Sequence, residues 1–525
     1  MPKWKGLSNR RACLRKAPAG HSLIGLCVFY CGTAYRGLQI QTHAPTHHTV
    51  EGVLIQALRD IGVVESLENG RIGGSAHHLA RSCRTDRGVH AVRNVVSLFV
   101  RNEKIEAVGG CENITDLMNA SLPNTVRVAR VTHLMGNFIP RFCCNRRVYR
   151  YMIPAYALIP ECVSWETFFA QFPRLSEVLQ RRACGSPHVD FLAEEGQETD
   201  HSLEKLRCAV LRGNELLRSY IVGTHRFHNF SVDLSQRGGY GVNKKAIMPE
   251  SNAAVRTIIR CEIAPRVLLL PGDVKGPTRA DYEEALKTSG TSVAESDTTQ
   301  SASPGEGQLL NATLLPYFVF QIEGRSFLFN MIRKIVGVLL AVLRGARETL
   351  FADVLSPYQR AACPLAPGSH LFLFFSAFER YDRIVRQSSS RRFRSIADEW
   401  HGKVAEESLS FVRSSILADI VDLDMNRMPA IGTLLRARDA ERNVQRPQWR
   451  EEDSHLASLK TYGPACEAQH PTCSEMTVFL RSLRVHNWSI EVLNAVPVAE
   501  RGENREDVSR RKRAISEMDV EEEQV

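Results

Sequence analysis

The sequence predicts an α+β protein whose N-terminal part is a split βαβ, or ferredoxin-like, lobe. Three observations support this prediction: an apolar run of strand composition over residues 21–30, apolar residues at helical spacing over 50–61, and an alternating apolar run over 95–100. Thr49 is a suitable N-cap for the helix. A further short helix over 115–122 completes the order strand, helix, loop, strand, helix, which is typical of a split βαβ unit.

Later segments continue this mixture of strands and helices. Residues 147–153 and 317–322 have strand composition, 332–343 carries the apolar stripe of a buried helix, and 371–375 is a further apolar strand. Gly337 on this helix leaves room for another segment to approach closely. Single hydrophobic cores stop growing at about 250 to 300 residues. A chain of 525 residues is therefore expected to contain two lobes with extensions.

The charge distribution suits a polyanionic partner. The formal net charge is +9 at pH 7, and residues 1–20 carry six lysines and arginines but no acidic side chain. Charge alone is explained as simply by a solvated surface. The basic N-terminus lacks the apolar segment of a secretory signal and fits a short mitochondrial presequence or a plain basic tail. Arg510–Arg513 has the composition of a nuclear localisation signal, so the nucleus is the favoured destination and the mitochondrion the alternative.

The cysteines and histidines give no sign of a disulfide framework or a metal site. The 14 cysteines include no Cys-x-x-Cys pair and no Cys/His cluster at zinc spacing, which fits a reducing compartment. His225 and His228 have no cysteine or carboxylate partners nearby and are expected to support the wall of a cleft. The longest apolar run, Ile335–Leu343, is far shorter than the roughly 20 residues that span a bilayer. A soluble protein is expected.

The run Arg81–Ala91 contains the strongest candidate for a reactive group, Asp86. Three arginines flank this carboxylate and Gly88 follows it by two places, which is the composition of a tight turn that holds an anion among cations. An isolated Asp-x-Gly is more often an ordinary turn or a loop salt bridge. A functional interpretation therefore depends on whether matching blocks occur elsewhere in the chain.

Four further blocks accompany this loop in order along the chain: Gly32–Gln39, Phe138–Tyr151, Gly223–Asn229 and Ser326–Gly337. Together with the Arg-Thr-Asp-x-Gly-Val-His loop, they resemble the motifs of the TruA family of tRNA pseudouridine synthases. The Gly-Thr-His-x-Phe-His-Asn block is similar to that of the eukaryotic multisite branch, the pseudouridine synthase 1 type. The resemblance covers about residues 21–381.

The resemblance implies two ferredoxin-like lobes whose sheets join around a central RNA-binding cleft, followed by a partly helical C-terminal extension. A helix near Leu409–Leu423 is expected in this extension. Resemblance and composition together set the expected limits: a basic tail over 1–20, an N-terminal catalytic lobe over 21–154, an irregular insertion over 155–202, a C-terminal lobe over 203–381 with a disordered insert over 271–308, and a polar, partly helical and partly disordered extension over 382–525.

The activity that the resemblance implies is the isomerisation of uridine to pseudouridine in tRNA, with other structured RNAs as further candidate substrates. The base is cut from its ribose, turned and rejoined through carbon 5, without a cofactor or a metal ion. A monomer is favoured and no membrane partner is expected. The alternative from another functional class is an RNA-binding chaperone or assembly factor that uses the same fold without its chemistry. An unrelated hydrolase built on Asp86 has no further support in the chain.

Three residues match the family's catalytic positions. Asp86 corresponds to the nucleophile, and attack on the anomeric carbon of the ribose and attack on carbon 6 of the base both stay open. Arg333 corresponds to the arginine that pairs with this carboxylate and keeps it ionised in a partly dry pocket. Tyr149 corresponds to the substrate-facing tyrosine, expected to stack on the uracil and take the proton from carbon 5. Tyr149 and Tyr151 share one strand face, which fits an ordinary aromatic core pair equally well.

The substrate-binding set that the resemblance implies comprises Arg84, Arg141, Tyr35 and Gln39, together with Tyr149. Arg84 is expected to hold the flipped nucleotide or its phosphate, because a base in a duplex stem cannot be reached until it is extruded. Tyr35, Gln39 and Arg141 are expected to support the loop and the cleft.

Overall fold

The fold is built on one large mixed sheet with helices packed against it, which confirms the predicted α+β class. The computed structural model of the chain describes residues 18–41, 48–231, 247–272, 314–425 and 474–485. Within these ranges, gaps occur at residues 66, 69–70, 73–78, 184–187, 191–200, 248, 250, 358–360, 362, 391 and 400–402.

The strands are, in chain order, β1 His21–Tyr30, β2 Leu67–Glu68, β3 Arg71–Ile72, β4 Ala80–Arg81, β5 His90–Arg101, β6 Val126–Leu134, β7 Arg146–Pro154, β8 His188–Asp190, β9 Gly223–Arg226, β10 Val255–Pro271, β11 Leu314–Gly324 and β12 Leu371–Ala377. All belong to the main sheet except β2 and β3, which form a separate hairpin.

The helices are, in chain order, α1 Val50–Asp60, α2 Asn102–Ala107, α3 Cys111–Ser121, α4 Pro140–Cys143, α5 Trp165–Gln171, α6 Leu175–Ala183, α7 His201–Tyr220, α8 Met331–Leu343, α9 Leu350–Leu355, α10 Glu379–Arg386, α11 Ile396–Glu399, α12 Lys403–Phe411, α13 Ala418–Asp424 and α14 Glu475–Val485. A π-helical turn over Val412–Leu417 joins α12 to α13. Among these helices, none has the length and apolarity needed to cross a bilayer.

The strand order of the main sheet is β6-β1-β5-β12-β7-β11-β10-β8, with β4 against β5 and β9 against β10. The β5–β12 pair is parallel and joins Phe372 to His90 and Leu373 to Ala91. Strands from the first 134 residues therefore meet the later strands at this junction. The loop that carries Asp86 leads directly into β5 and so ends at the junction.

The N-terminal elements follow the predicted order. β1 has the predicted bounds, and Thr49 caps α1 by accepting the N–H of Gly52 at 3.3 Å. β5 begins at His90 rather than Val95, because these extra residues pair with β1 and β12. α3 likewise begins before the predicted start at Thr115. Strand pairing therefore extends β5 beyond the stretch in which apolar residues alternate.

The expectation of irregular structure over residues 155–202 is wrong for the part that the structure describes. α5 and α6 form there, and Ser164 caps α5. The buried Trp165 ring meets the rings of Tyr156 and Tyr317 edge to face, with centroids 4.8 and 5.4 Å apart. Burial of this aromatic ring against the sheet therefore stabilises helices that the polar composition of the segment does not predict.

The helices after β12 are packed into the fold. The helix predicted near Leu409–Leu423 forms as α12, the π-helical turn and α13. At its end, the buried Asp424 accepts hydrogen bonds from the hydroxyls of Tyr156 at 3.2 Å and Tyr317 at 2.7 Å, and contacts Nε2 of His370 at 3.2 Å. Part of the polar composition of this region therefore consists of side chains buried against the sheet.

Three expectations concern segments outside the described residues. These segments are the acid-free start as far as residue 17, the insert over 271–308 apart from Pro271 and Gly272, and the basic cluster Arg510–Arg513.

Candidate active site

A cavity of about 920 Å³ lies where the Asp86 loop meets β7 and the start of α8. Asp86, Tyr149 and Arg333, which come from three separate segments, all line it. Arg84 and Arg141 line it as well, and both are exposed. The fold therefore brings five of the predicted site residues to one cavity.

Tyr35 and Gln39 are not among the residues that line this cavity. The Tyr35 side chain is fully buried, and its hydroxyl is 2.9 Å from Oγ1 of Thr125. Its backbone carbonyl accepts the N–H of Gly88 at 3.3 Å. Tyr35 therefore supports the Asp86 loop from behind, while Gln39 is partly exposed outside the cavity.

Two glycines allow the first block to lie directly against the Asp86 loop. A Cβ atom on Gly32 would lie 2.2 Å from the carbonyl oxygen of Val89. A Cβ atom on Gly37, whose φ is 103°, would lie 2.7 Å from the carbonyl oxygen of Thr85. Only glycine permits both approaches without displacing the loop backbone. This contact explains why the block Gly32–Gln39 accompanies the Asp86 motif.

Buried polar side chains hold the start of the loop. The Tyr30 hydroxyl lies 2.8 Å from Oγ1 of Thr85. Nδ2 of Asn94 donates to the same hydroxyl at 3.3 Å and to the carbonyl of Cys83 at 3.1 Å. Since these groups are buried, their bonds are shielded from water and keep the loop in one position.

Arg333 lies beside the backbone that borders the Asp86 loop. Its Nε donates to the carbonyl of Ala366 at 2.7 Å. A Cβ atom on Gly368 would lie 3.5 Å from Cζ of Arg333 and 2.9 Å from the carbonyl oxygen of Arg87. The guanidinium and the residue after Asp86 therefore flank the same short segment. The half-buried Asp86 and Arg333 share the cavity wall.

The close approach predicted at Gly337 is confirmed. A Cβ atom there would lie 2.1 Å from the carbonyl oxygen of Pro364, so the segment that binds Arg333 packs directly on α8. At the start of α8, Asn330 adopts the left-handed conformation with φ of 64° and lines the cavity. This turn directs the chain from the cavity wall into the helix that carries Arg333.

Tyr149 is a buried phenol at the cavity wall. Its ring meets the ring of Phe327 edge to face, with centroids 5.3 Å apart. Burial raises the pKa of Tyr149 well above its usual value, and the neighbouring Cys83 raises it further while Arg147 opposes both. The phenol is therefore neutral near pH 7 and acts as a hydrogen-bond donor.

Tyr151 differs from Tyr149 although both face the same side of β7. The alternating burial of β7 agrees with the predicted shared face. Tyr151 instead stacks on His370, with ring centroids 5.8 Å apart, and is not among the residues that line the cavity. The aromatic pair is therefore divided, because one ring serves the core and the other borders the cavity.

Arg147 is a site residue that sequence reasoning missed. The side chain is only 8% exposed and donates hydrogen bonds to the carbonyls of Ser82, Arg141 and Cys144 at 3.1 to 3.2 Å. Its Nε also donates to Sγ of Cys83 at 3.1 Å. Arg147 thus ties the Asp86 loop to α4. Its place two residues before Tyr149 on one strand face is the signal that identifies it.

The rim of the cavity carries two exposed aromatic rings. Phe142 is 58% exposed and Phe329 is 44% exposed, and both line the cavity beside Arg84 and Arg141. Large apolar side chains are usually buried, so exposure at a cavity rim is informative. Composition gives no sign of this feature, because exposure depends on the packing of distant segments.

The block that contains His225 and His228 supports α8. A ring nitrogen of His225 lies 3.0 Å from the carbonyl of Val222, and His228 is buried in a 3₁₀ turn. Lys334 of α8 donates to the carbonyl of Asn229 at 3.1 Å. Neither histidine is among the residues that line the cavity, so the block contacts α8 and not the cavity itself.

Among the described residues, Cys31, His90 and Asp419 form the one group whose ligand atoms lie close enough together for a metal ion. Nδ1 of His90 accepts the N–H of Gly32 at 3.0 Å, and Nε2 lies 2.6 Å from the carbonyl of Ser369. Both ring nitrogens are therefore engaged. The group does not fit a metal ion, and none of its members lines the cavity.

Comparison with known proteins adds independent findings. Residues 218–379 match a family model described as tRNA pseudouridine synthase. The chain is 32% identical over 388 residues to tRNA pseudouridine synthase 1 of Candida glabrata, covering 69% of this chain and 61% of that protein. It is 24% identical over 361 residues to the human pseudouridylate synthase 1 homolog, with coverage of 69% and 61%.

A third relative, the tRNA pseudouridine(27/28) synthase of Saccharomyces cerevisiae, is 28% identical over 233 residues, covering 39% of this chain and 59% of that protein. The chain thus spans less than two thirds of the length of these curated relatives. The family match over residues 218–379, the similarities to these relatives and the ordered motifs show that the chain is homologous to the eukaryotic pseudouridine synthase 1 proteins and similar to the TruA type of tRNA pseudouridine synthases.

Proposed function

We propose that this protein isomerises uridine to pseudouridine in tRNA, with Asp86 as the nucleophile. The observation that supports this most directly is the presence of Asp86, Tyr149 and Arg333 in the wall of one cavity, although they are separated widely in the chain. An acid, a phenol and a cation at one site are the groups that this isomerisation requires.

The cavity suits a reaction in which a base is released and turned before it is rejoined. Its volume of about 920 Å³ is at the upper end of the range of about 300 to 1,000 Å³ for small-molecule sites, so a nucleotide fits with room for rotation. Asp86 attacks either the anomeric carbon of the ribose or carbon 6 of the uracil. Arg333 provides the nearby positive charge that keeps a carboxylate ionised when water is excluded.

Tyr149 acts first through its ring and its hydroxyl proton. Its raised pKa keeps the phenol neutral near pH 7, so it stacks on the uracil and donates a hydrogen bond. We also propose that its oxygen accepts the proton from carbon 5 after the new carbon–carbon bond forms. In that step the phenol passes its own hydroxyl proton to solvent water as it takes the proton from carbon 5, so Tyr149 ends as a neutral phenol.

The rim of the cavity suits nucleic acid. The exposed rings of Phe142 and Phe329 offer surfaces on which bases stack, and the exposed Arg84 and Arg141 can bind phosphates. Stacking at the rim also stabilises a flipped nucleotide, which a base in a tRNA stem must become before it can react. This combination favours RNA over a small free substrate.

We further infer that the sheet consists of two ferredoxin-like lobes joined around a central RNA-binding cleft. Support comes from the strand order, since β6, β1 and β5 occupy one end and β12, β7, β11 and β10 the other. Because β7 pairs with β11 and β12, we propose that β7 belongs to the second lobe, which moves the boundary from the predicted residue 154 to before Arg146. In this proposal, residues 146–154 and 203–381 form the second lobe on either side of the insertion over 155–202, and the polar helices after residue 381 form an extension.

Two variants test the proposed reaction. The protein is incubated with total tRNA, and pseudouridine is mapped by carbodiimide-induced stops of reverse transcription. Asp86→Asn is expected to lower the rate roughly 1,000-fold or more, because it removes the nucleophile. Asp116→Asn, at an exposed position on α3, is the matched control and is expected to leave the rate unchanged. Tight tRNA binding without any product would instead favour an RNA-binding chaperone.

We propose the nucleus as the destination, with the mitochondrion as the alternative. The support is the composition of Arg510–Arg513 and of residues 1–20. Tagged proteins that lack either segment test this proposal. Nuclear exclusion after loss of Arg510–Arg513 would support it, and unchanged nuclear uptake would contradict it.

A further inference from the structure

The sulfur of Cys83 lies among hydrogen-bond donors at the floor of the cavity. Nε of Arg147 donates to it at 3.1 Å, and Oγ of Ser376 lies 3.8 Å away. The thiol of Cys144 and the hydroxyl of Tyr149 also interact electrostatically with the sulfur of Cys83. A neutral thiol is a weak acceptor and has one proton of its own, whereas a thiolate accepts several such bonds.

The buried charge of Arg147 supplies a second reason. Most of its described hydrogen bonds end on backbone carbonyls, which carry no full charge. A buried guanidinium is costly without a counter-charge. Of the side chains that it contacts, Cys83 ionises most readily.

We propose that Cys83 is a resident thiolate at the floor of the cavity, where it balances the charge of Arg147 and orients Tyr149 by accepting its hydroxyl proton in a hydrogen bond. Cys83 is then a positioning residue, since it acts on the substrate through Tyr149. Only this positioning role depends on the proposed pseudouridine synthase function. The ionised state of the sulfur does not.

The electrostatics of the site agree with this assignment. Burial alone would raise the pKa of Cys83, but the hydrogen bond from Cys144, the charge of Arg147 and a hydrogen bond from Ser376 outweigh burial and lower the pKa to about 5. The pKa of Tyr149 is raised in return. These groups, from β7, β12 and the turn after α4, face the sulfur together with the Tyr30 hydroxyl of β1.

Two other thiols in the described part of the chain, those of Cys261 and Cys208, lack this environment. Burial raises the pKa of Cys261 well above its usual value, and the neighbouring Glu262 raises it further. A hydrogen bond to Glu204 raises the pKa of the exposed Cys208. These two residues therefore serve as internal controls, one buried and one accessible.

A thiolate that lines a cavity is a site for small, soft electrophiles. Iodoacetamide represents this class: the sulfur forms a bond to carbon, the carbon–iodine bond breaks and iodide leaves with the bonding electrons. Such an adduct would remove the negative charge beside Arg147 and occupy the space below Tyr149. The proposed modification therefore blocks the active site.

The first test measures ionisation directly. The far-ultraviolet absorbance of thiolate is recorded as a function of pH for the wild type and for Cys83→Ser, and the difference is expected to rise with a midpoint near pH 5. Cys261→Ser, the buried control, is expected to show no difference below neutral pH. A difference for Cys83 that appears only above about pH 8, where ordinary cysteines ionise, overturns the proposal.

The second test measures reactivity. The full chain is treated with iodoacetamide at pH 6.5, and peptides are examined by mass spectrometry. Cys83 is expected to react before Cys208, although Cys208 is exposed and Cys83 is only 5% exposed. Faster labelling of Cys208 would contradict the proposed electrophile site, while the absorbance experiment decides the ionised state separately.

The third test measures positioning. Cys83→Ser is expected to lower kcat for pseudouridine formation about tenfold and to leave KM for tRNA unchanged, because Tyr149 loses a charged hydrogen-bond partner. An unchanged kcat removes the positioning role, and so does a fall in kcat that is matched by a rise in KM. If the wild type makes no pseudouridine, the proposed function fails while the absorbance and labelling results still test the thiolate.

Discussion

The cavity and the cluster around Asp424 are two buried polar regions on the same sheet, and they treat charge differently. In the cavity, the guanidinium of Arg147 lies beside Cys83, and both residues line the cavity together with Tyr149. Arg333 adds a second guanidinium to the wall. The charges here can act on a molecule that enters.

The Asp424 cluster, by contrast, is closed. The oxygens of Asp424 meet the hydroxyls of Tyr156 and Tyr317 and a ring nitrogen of His370, and all four side chains are buried. Asp424 belongs to α13, so the cluster attaches the C-terminal helices to the strands. The comparison indicates that an adjoining cavity, rather than residue type, separates a candidate site of chemistry from a structural junction.

The largest expected effect concerns the closed cluster. Asp424→Ala should lower the free energy of unfolding by about 3 to 5 kcal/mol, because it leaves three buried donors without their shared acceptor. Urea unfolding measures this change, with the exposed Asp116→Ala as the control. If the folded variant loses activity but not stability, the Asp424 cluster belongs to the active site instead.

Arg333→Leu tests whether a charge in the cavity affects activity rather than stability. We expect turnover of tRNA to fall about 100-fold, since the cavity that Asp86 lines loses a positive charge, while the affinity for tRNA is largely kept. Single-turnover rates and a filter-binding Kd measure the two quantities. Arg392→Leu, outside the cavity lining, is the control. Unchanged turnover would remove Arg333 from the proposed mechanism.

Phe142→Ala tests the rim. Base stacking on an aromatic ring contributes about 1 to 3 kcal/mol, so we expect roughly a tenfold weaker Kd for tRNA with little change in stability. Leu211, another exposed apolar residue, lies on α7 and gives the control Leu211→Ala. Equal Kd values for Phe142→Ala and the wild type would show that the exposed ring does not contact RNA.

The smallest expected effect is a pH dependence at His90, a buried residue where β5 pairs with β12. Burial lowers the pKa of His90, and this outweighs the opposing effect of Asp419. The unfolded chain, with an ordinary histidine pKa of about 6.5, therefore binds the proton at higher pH than the folded protein does. Stability that is complete above about pH 6.5 should fall as the pH drops, by at most about 1.4 kcal/mol per pH unit.

Urea unfolding at several pH values between 7 and 5 measures this slope. His90→Gln should make the slope shallower by up to that amount. An equal slope in wild type and His90→Gln would mean that the folded protein accepts the proton at His90 as readily as the unfolded chain.

Local pattern was sufficient for several elements. Apolar alternation and helical spacing predict β1, α1 with its cap at Thr49, and the buried stripe of α8, because these signals act over one or two turns of chain. The helices of 155–202 were missed because one buried ring, Trp165, outweighs the polar residues around it.

The candidate site also contains residues that local motifs predict and contacts that only the tertiary structure reveals. The motifs name Asp86, Tyr149 and Arg333, and the structure places them in one cavity. No local pattern reveals that Arg147 is buried against Cys83, since this contact joins β7 to a loop more than 60 residues earlier.

The sequence by itself determined the order of the N-terminal strands and helices, the identity of the motif residues and the close approach at Gly337. The tertiary structure decided which polar groups share a cavity, which are sealed beneath it, and which rings stay exposed at its rim. The physical reason is that secondary structure follows from neighbours along the chain, whereas burial and charge pairing depend on which distant segments pack together.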